Sequence, residues 1–103
     1  MKSHFILYVR DQTASVKFYS AVLDATPILD VPGMTEFQLS ADCVLGLMAE
    51  RGIKKLLAPN LPDPSLASGI PRAEIYLIVD DCNFRNYLSR FFRNYLSVLT
   101  TAN

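Results

Sequence analysis

Two octapeptides constrain this chain more than any other feature. HFILYVRD at 4–11 and EIYLIVDD at 74–81 superimpose without a gap, seventy residues apart. His4 aligns with Glu74, Val9 with Val79 and Asp11 with Asp81. Each copy is a β-rich apolar run, the pattern of a buried strand, closed by an aspartate that can cap a helix, with Thr13 as the alternative cap in the first copy. Repetition at this separation predicts two copies of one strand-then-helix unit.

The segments between the copies extend the first unit. Residues 12–23 place Val16, Tyr19, Val22 and Leu23 at helical spacing, with Phe18 beside them, and Thr26-Pro27 ends that helix. Short strands are predicted at 27–32, 34–40 and 43–49. The middle one alternates, with Met34, Glu36, Gln38 and Ser40 on one face and Thr35, Phe37 and Leu39 on the other. Pro32-Gly33 and Ala41-Asp42 supply the turns. Residues 51–72 read as irregular, because Pro59, Pro62, Pro64, Gly69 and Pro71 bar a long helix or central strand. A loop of that length is expected to connect two modules.

After the second copy, residues 83–99 place Phe84, Tyr87, Leu88, Phe91, Tyr95 and Leu99 at steps of three and four, which predicts an amphipathic helix. FRNYLS occurs at 84–89 and again at 92–97. An eight-residue period spans roughly two helical turns and keeps one face apolar. The expected product is one α+β domain over 1–103. It comprises a βαβββ module over 1–58, a linker over 59–71, and over 72–103 the strand and helix of a second module. That remnant lacks three strands, and an unpaired sheet edge invites another chain. A homodimer is the expected assembly.

Charge and length narrow the function. The formal net charge is zero over 103 residues, which argues against a general nucleic-acid binder. From residue 82 onward the chain holds Arg85, Arg90 and Arg93 and no acid. The apolar side of that basic helix is expected to pack on the sheet and not on a membrane. No apolar run approaches the ~20 residues of a membrane helix, and the opening run is too short for a signal peptide. Cys43 and Cys82 lack metal-binding spacing and read as free thiols of a reducing cytosol, so a cytoplasmic location is expected.

Chemistry-bearing residues are few. Gly33, Gly46, Gly52 and Gly69 are scattered and form no phosphate loop. One histidine limits every Ser/His/Asp or Cys/His arrangement, and nothing places it beside Cys43 or Ser40. His4 and Glu74 stand at matching points of the repeat, and their candidacy as catalytic and metal-ligating residues comes from the resemblance of these runs to a known family. A metal site usually takes three or four His or carboxylate ligands, so the pair needs completion across a dimer or by substrate oxygens. The metal-free alternative has Glu74 abstract a proton beside a carbonyl, with His4 as the acid partner. Glu36 and Gln38 share the same cleft side, at distances the sequence does not set.

The run HFILYVRDQTASVKFYSAVLDATPILDVPGMTEFQLS, followed by VLGLM, resembles the first module of the glyoxalase/bleomycin-resistance/extradiol-dioxygenase superfamily, the vicinal oxygen chelate proteins. Val9 and Asp11, then Phe18-Tyr19, then Val22-Leu23 carry the likeness, and IPRAEIYLIVDD resembles the start of the second module. The resemblance implies two βαβββ modules around a cleft. It also implies a divalent metal (Zn, Ni, Mn or Fe) held by first-strand and last-strand residues of each module. His4 and Glu74 fall on the two first-strand positions. Gly46 falls on the first module's last-strand position and cannot ligate. The fourth position has no counterpart, because the tail after Cys82 departs from the pattern as a truncated or frame-altered product would. The implied function is that of a small-molecule lyase or isomerase related to lactoylglutathione lyase. The alternative is a small-molecule-binding homodimer, or a truncated member, without activity.

Overall fold

Asp11 starts the first helix by the chemistry its position predicts. Its Oδ1 accepts from the Ala14 amide at 3.0 Å, while its backbone is extended. Asp24 ends the same helix in the left-handed region, with φ of 50°. The computed structural model describes residues 1–67, 73–78 and 95–100. Within them the chain runs β1 (Ser3–Val9), α1 (Gln12–Leu23), β2 (Leu29–Val31), β3 (Met34–Ser40), β4 (Cys43–Ala49), α2 (Glu50–Leu57), a 3₁₀ turn (Pro64–Ala67), β5 (Ala73–Ile78) and β6 (Tyr95–Thr100). The fold is α+β, and its first half is a βαβββ module.

Four strands form a mixed sheet in the order β1-β4-β3-β2. β1 runs parallel to β4, and the other two pairings are antiparallel. Strand alternation then separates two faces. One carries Leu7, Val9, Thr35, Phe37, Leu45 and Leu47, and Tyr19 and Val22 of α1 close over it. Phe37, Leu45, Leu47 and Thr35 are fully buried there. Each large apolar side chain so buried contributes about 1.5–3 kcal/mol. Burial also pushes the Tyr19 phenol above its ordinary pKa.

A polar clamp fixes α1 to the far edge of the sheet. Gln12, the first residue of α1, donates through Nε2 to the Val31 carbonyl at 2.9 Å and to Thr35 Oγ1 at 2.8 Å. Its Oε1 accepts from the Gly33 amide at 2.8 Å. Thr35 Oγ1 in turn donates to Asp30 Oδ1 at 2.9 Å. Gly33 sits in the β2–β3 turn at φ +90°, a conformation that costs glycine nothing.

Two expectations change. Residues 50–57 are helical where the prolines suggested an irregular segment. The prolines begin only at Pro59, and Glu50, Arg51, Lys54, Lys55, Leu56 and Leu57 are good helix formers. Ile53 anchors the helix by burial, and extended Ala58 ends it just before Pro59. The helix predicted over 83–99 is not helical at its end: Tyr95–Thr100 is a strand paired antiparallel with β5. Tyr, Val and Thr favour strands, and the open edge of β5 supplies the partner. Residues 83–94 lie outside the described residues.

β5 repeats the facing of β1. Ile75 and Leu77 pack against the core cluster, while Glu74, Tyr76 and Ile78 are exposed. In β1, Leu7 and Val9 turn inward while His4, Ile6 and Tyr8 are exposed. The sequence repeat is therefore also a repeat in strand phase.

Candidate functional site

The face of the four-stranded sheet opposite α1 is exposed at its edges on β1 and β2, while Val44 and Gly46 of β4 are buried. Register orders it into three rows running from β1 toward the β2 edge. His4, Val44 and Gln38 form the first. Ile6, Gly46, Glu36 and Leu29 form the second, and Tyr8, Met48, Met34 and Val31 the third. Ile6, Tyr8, Leu29 and Val31 are all substantially exposed. Apolar side chains grouped on an open sheet face, with few polar groups among them, make a surface suited to a small organic ligand.

The polar groups meet near its centre. His4 Nδ1 lies 3.4 Å from Glu36 Oε2, and the two side chains are 46% and 19% exposed. The residues stand on β1 and β3, with β4 between them. At about 4.8 Å per strand spacing, roughly 10 Å separates their backbones, so both side chains must lean over β4. They cross it between Val44 and Gly46. A Cβ at Gly46 would lie 2.8 Å from Met34 Cε and 3.2 Å from Ile6 Cγ1. The absent side chain is thus the gap into which Met34 and Ile6 close, beside the His4–Glu36 contact.

Of the two residues singled out by the sequence, His4 occupies this face. Glu74 is exposed on β5, in the separate two-stranded sheet, in register with Leu99. Glu36 is the residue that sequence reasoning left without a role. Alternation already put it on the Gly46 face. Only the strand order brings it to His4.

The donor set among the described residues does not fit a resident metal. Among the described residues no group of three His, Cys, Asp or Glu side chains is gathered. Gly46 adds no donor. The Gln38 amide is engaged with the carbonyls of Ser40 and Cys43. His4 and Glu36 make two donors, short of the three or four such sites use.

A βαβββ sheet covered on one side by its helix, with an imidazole–carboxylate contact on the other, defines the class: small βαβββ modules. The sequence carries the same signal. The profile of the Glyoxalase/Bleomycin resistance protein/Dioxygenase superfamily matches residues 3–85, and the chain belongs to that superfamily. No curated protein and no solved structure matches the chain.

Proposed function

We propose that this protein binds a small, partly apolar organic molecule on the open sheet face and acts on it by proton transfer, as a lyase or isomerase does. The observation that carries this reading is the single imidazole–carboxylate contact within an exposed apolar surface. His4 and Glu74 are the proposed proton-transferring groups. Their shared strand phase supports equivalent placement in the two halves of a site. A homodimer would let Glu74 of one copy approach His4 of the other, and edge strand β1, with Phe5 61% exposed, offers a pairing surface. Because the donors fall short of a metal site, no step is routed through a metal. A cytoplasmic location is consistent with the reading, and no described helix is long and apolar enough to cross a membrane.

The second reading is a binding protein without chemistry. Gly46 favours it, since a donor is absent where the superfamily resemblance places a ligand. Native mass spectrometry against a panel of small carbonyl compounds tests both. Capture with product formation that is lost in His4→Ala supports catalysis. Capture without turnover supports binding alone. Capture unaffected by Ile6→Lys, which plants a charge on the open face, refutes the site.

A further inference from the structure

The contact between His4 and Glu36 decides which ring nitrogen meets a ligand. A carboxylate only accepts hydrogen bonds, so the nitrogen facing it is the one that holds a proton. That nitrogen is Nδ1, at 3.4 Å from Oε2. The distance is about half an ångström longer than an ideal N–H···O bond, a gap that small side-chain rotations close. Catalytic pairs commonly stand this loosely until a ligand is bound. A neutral imidazole has one N–H, so a proton on Nδ1 leaves the lone pair on Nε2. Among the described residues Nε2 has no partner, and the ring is nearly half exposed.

We propose that Glu36 is a positioning residue that holds His4 as the Nδ1–H tautomer and so makes Nε2 the proton acceptor of the open face. This deepens the proton-transfer reading above and rests on it. It also reverses the role that the sequence suggested for His4, which was that of the acid. The substrate class is a carbon acid, a compound with a C–H bond next to a carbonyl, carrying an apolar flank to lie on Ile6, Leu29 and Val31. Nε2 takes the proton, and the C–H electron pair moves into the carbonyl to form an enolate. The ring becomes an imidazolium whose charge Glu36 offsets. Where the deprotonated carbon bears a hydroxyl, the hydroxyl proton passes to the former carbonyl oxygen, and return of the abstracted proton from Nε2 to the former carbonyl carbon completes an isomerisation with no outside reactant.

The chain has one histidine, so its imidazole gives the only histidine ring signals in the protein. Long-range ¹H–¹⁵N spectra of the full-length labelled chain read the tautomer directly. They are recorded on the alkaline plateau of the ring's own chemical shifts. The wild type is expected to show a protonated Nδ1 and an unprotonated Nε2. Glu36→Leu is expected to lose that preference and return toward the Nε2–H form favoured by imidazole free in water. Gln38→Leu, in His4's own row, is expected to leave it unchanged. An Nε2–H tautomer in the wild type overturns the proposal, and so does a Glu36→Leu spectrum identical to it. No ligand is used. A failed ligand screen therefore refutes only the broader reading, and a wrong tautomer refutes only this one.

Discussion

Replacing Gln12 with alanine tests whether the clamp between α1 and the β2–β3 turn matters to stability. The side chain makes three hydrogen bonds, to Val31, Thr35 and Gly33. They are not equivalent. Val31 is exposed and Gly33 only half-buried, so water can replace glutamine at both. Thr35 is fully buried, and its hydroxyl loses the only donor it accepts from among the described residues, keeping its own donation to Asp30. A buried group left short of a partner costs about 1–3 kcal/mol, and a rewetted bond costs a fraction of the usual ~1 kcal/mol. Alanine returns a few tenths through its better helix propensity. The expected net loss is about 2 kcal/mol. With a urea slope near 1 kcal/mol/M for a chain of this size, the midpoint falls by about 2 M. The chain has no tryptophan, so far-UV circular dichroism follows the transition. A loss below about 0.5 kcal/mol would refute the reasoning, since that is what a surface substitution costs. A double-mutant cycle with Thr35→Val gives an internal check. Coupling above about 0.5 kcal/mol is expected if the two side chains act together.

Three further outcomes follow from the same structure. Phe37→Ala empties a fully buried site at the middle of β3 and is expected to cost about 3–5 kcal/mol, read in the same urea assay. The Ser65 amide, and then Lys54 at 3.0 Å, hold the Asp63 carboxyl below its ordinary pKa. Such a group contributes stability above the unfolded carboxylate pKa and loses it as pH falls through the folded value. Asp63→Asn should therefore lower the melting temperature at pH 7, and the difference from wild type should close on acidification through the carboxylate range. Gly46→His supplies a third donor in register with Glu36, and the flexible Met34 terminus yields to it. Calorimetric titration with Ni²⁺ should show at least about tenfold tighter binding than wild type. Unchanged affinity would mean that the His4–Glu36 contact is not preserved over that position.

Local chemistry made much of this fold legible. Asp11 as a cap, the spacing of Tyr19 and Val22, and the alternation of Thr35 and Phe37 located α1 and β3 at their observed ends. What escaped depended on partners far along the chain. Leu96, Val98 and Thr100 alternate with Tyr95, Ser97 and Leu99, yet the same apolar residues also satisfy a helical period. A short apolar run does not choose between the two. Pairing with β5 chose for it. The prolines at 59 and beyond do not govern the residues that precede them, and α2 occupies those residues.

The site divides along the same line. The repeat identified His4, and alternation put Glu36 on the face of Gly46, but their contact needs β4 between β1 and β3. The parallel pairing of β1 with β4 joins segments forty residues apart, as His4 with Val44. No local pattern encodes such a pairing, because its stabilisation comes from the buried row of Leu45, Leu47 and Phe37 on the opposite face. The core thereby sets the chemistry. Packing those residues beneath α1 fixes the register. The register leaves Gly46 opposite Glu36, and the missing side chain makes the room that Met34 and Ile6 fill. A substitution that slips β1 by one residue would turn His4 into the core and Phe5 onto the open face. The imidazole–carboxylate contact is therefore as secure as the hydrophobic layer under it, and it should be lost together with that layer and not before.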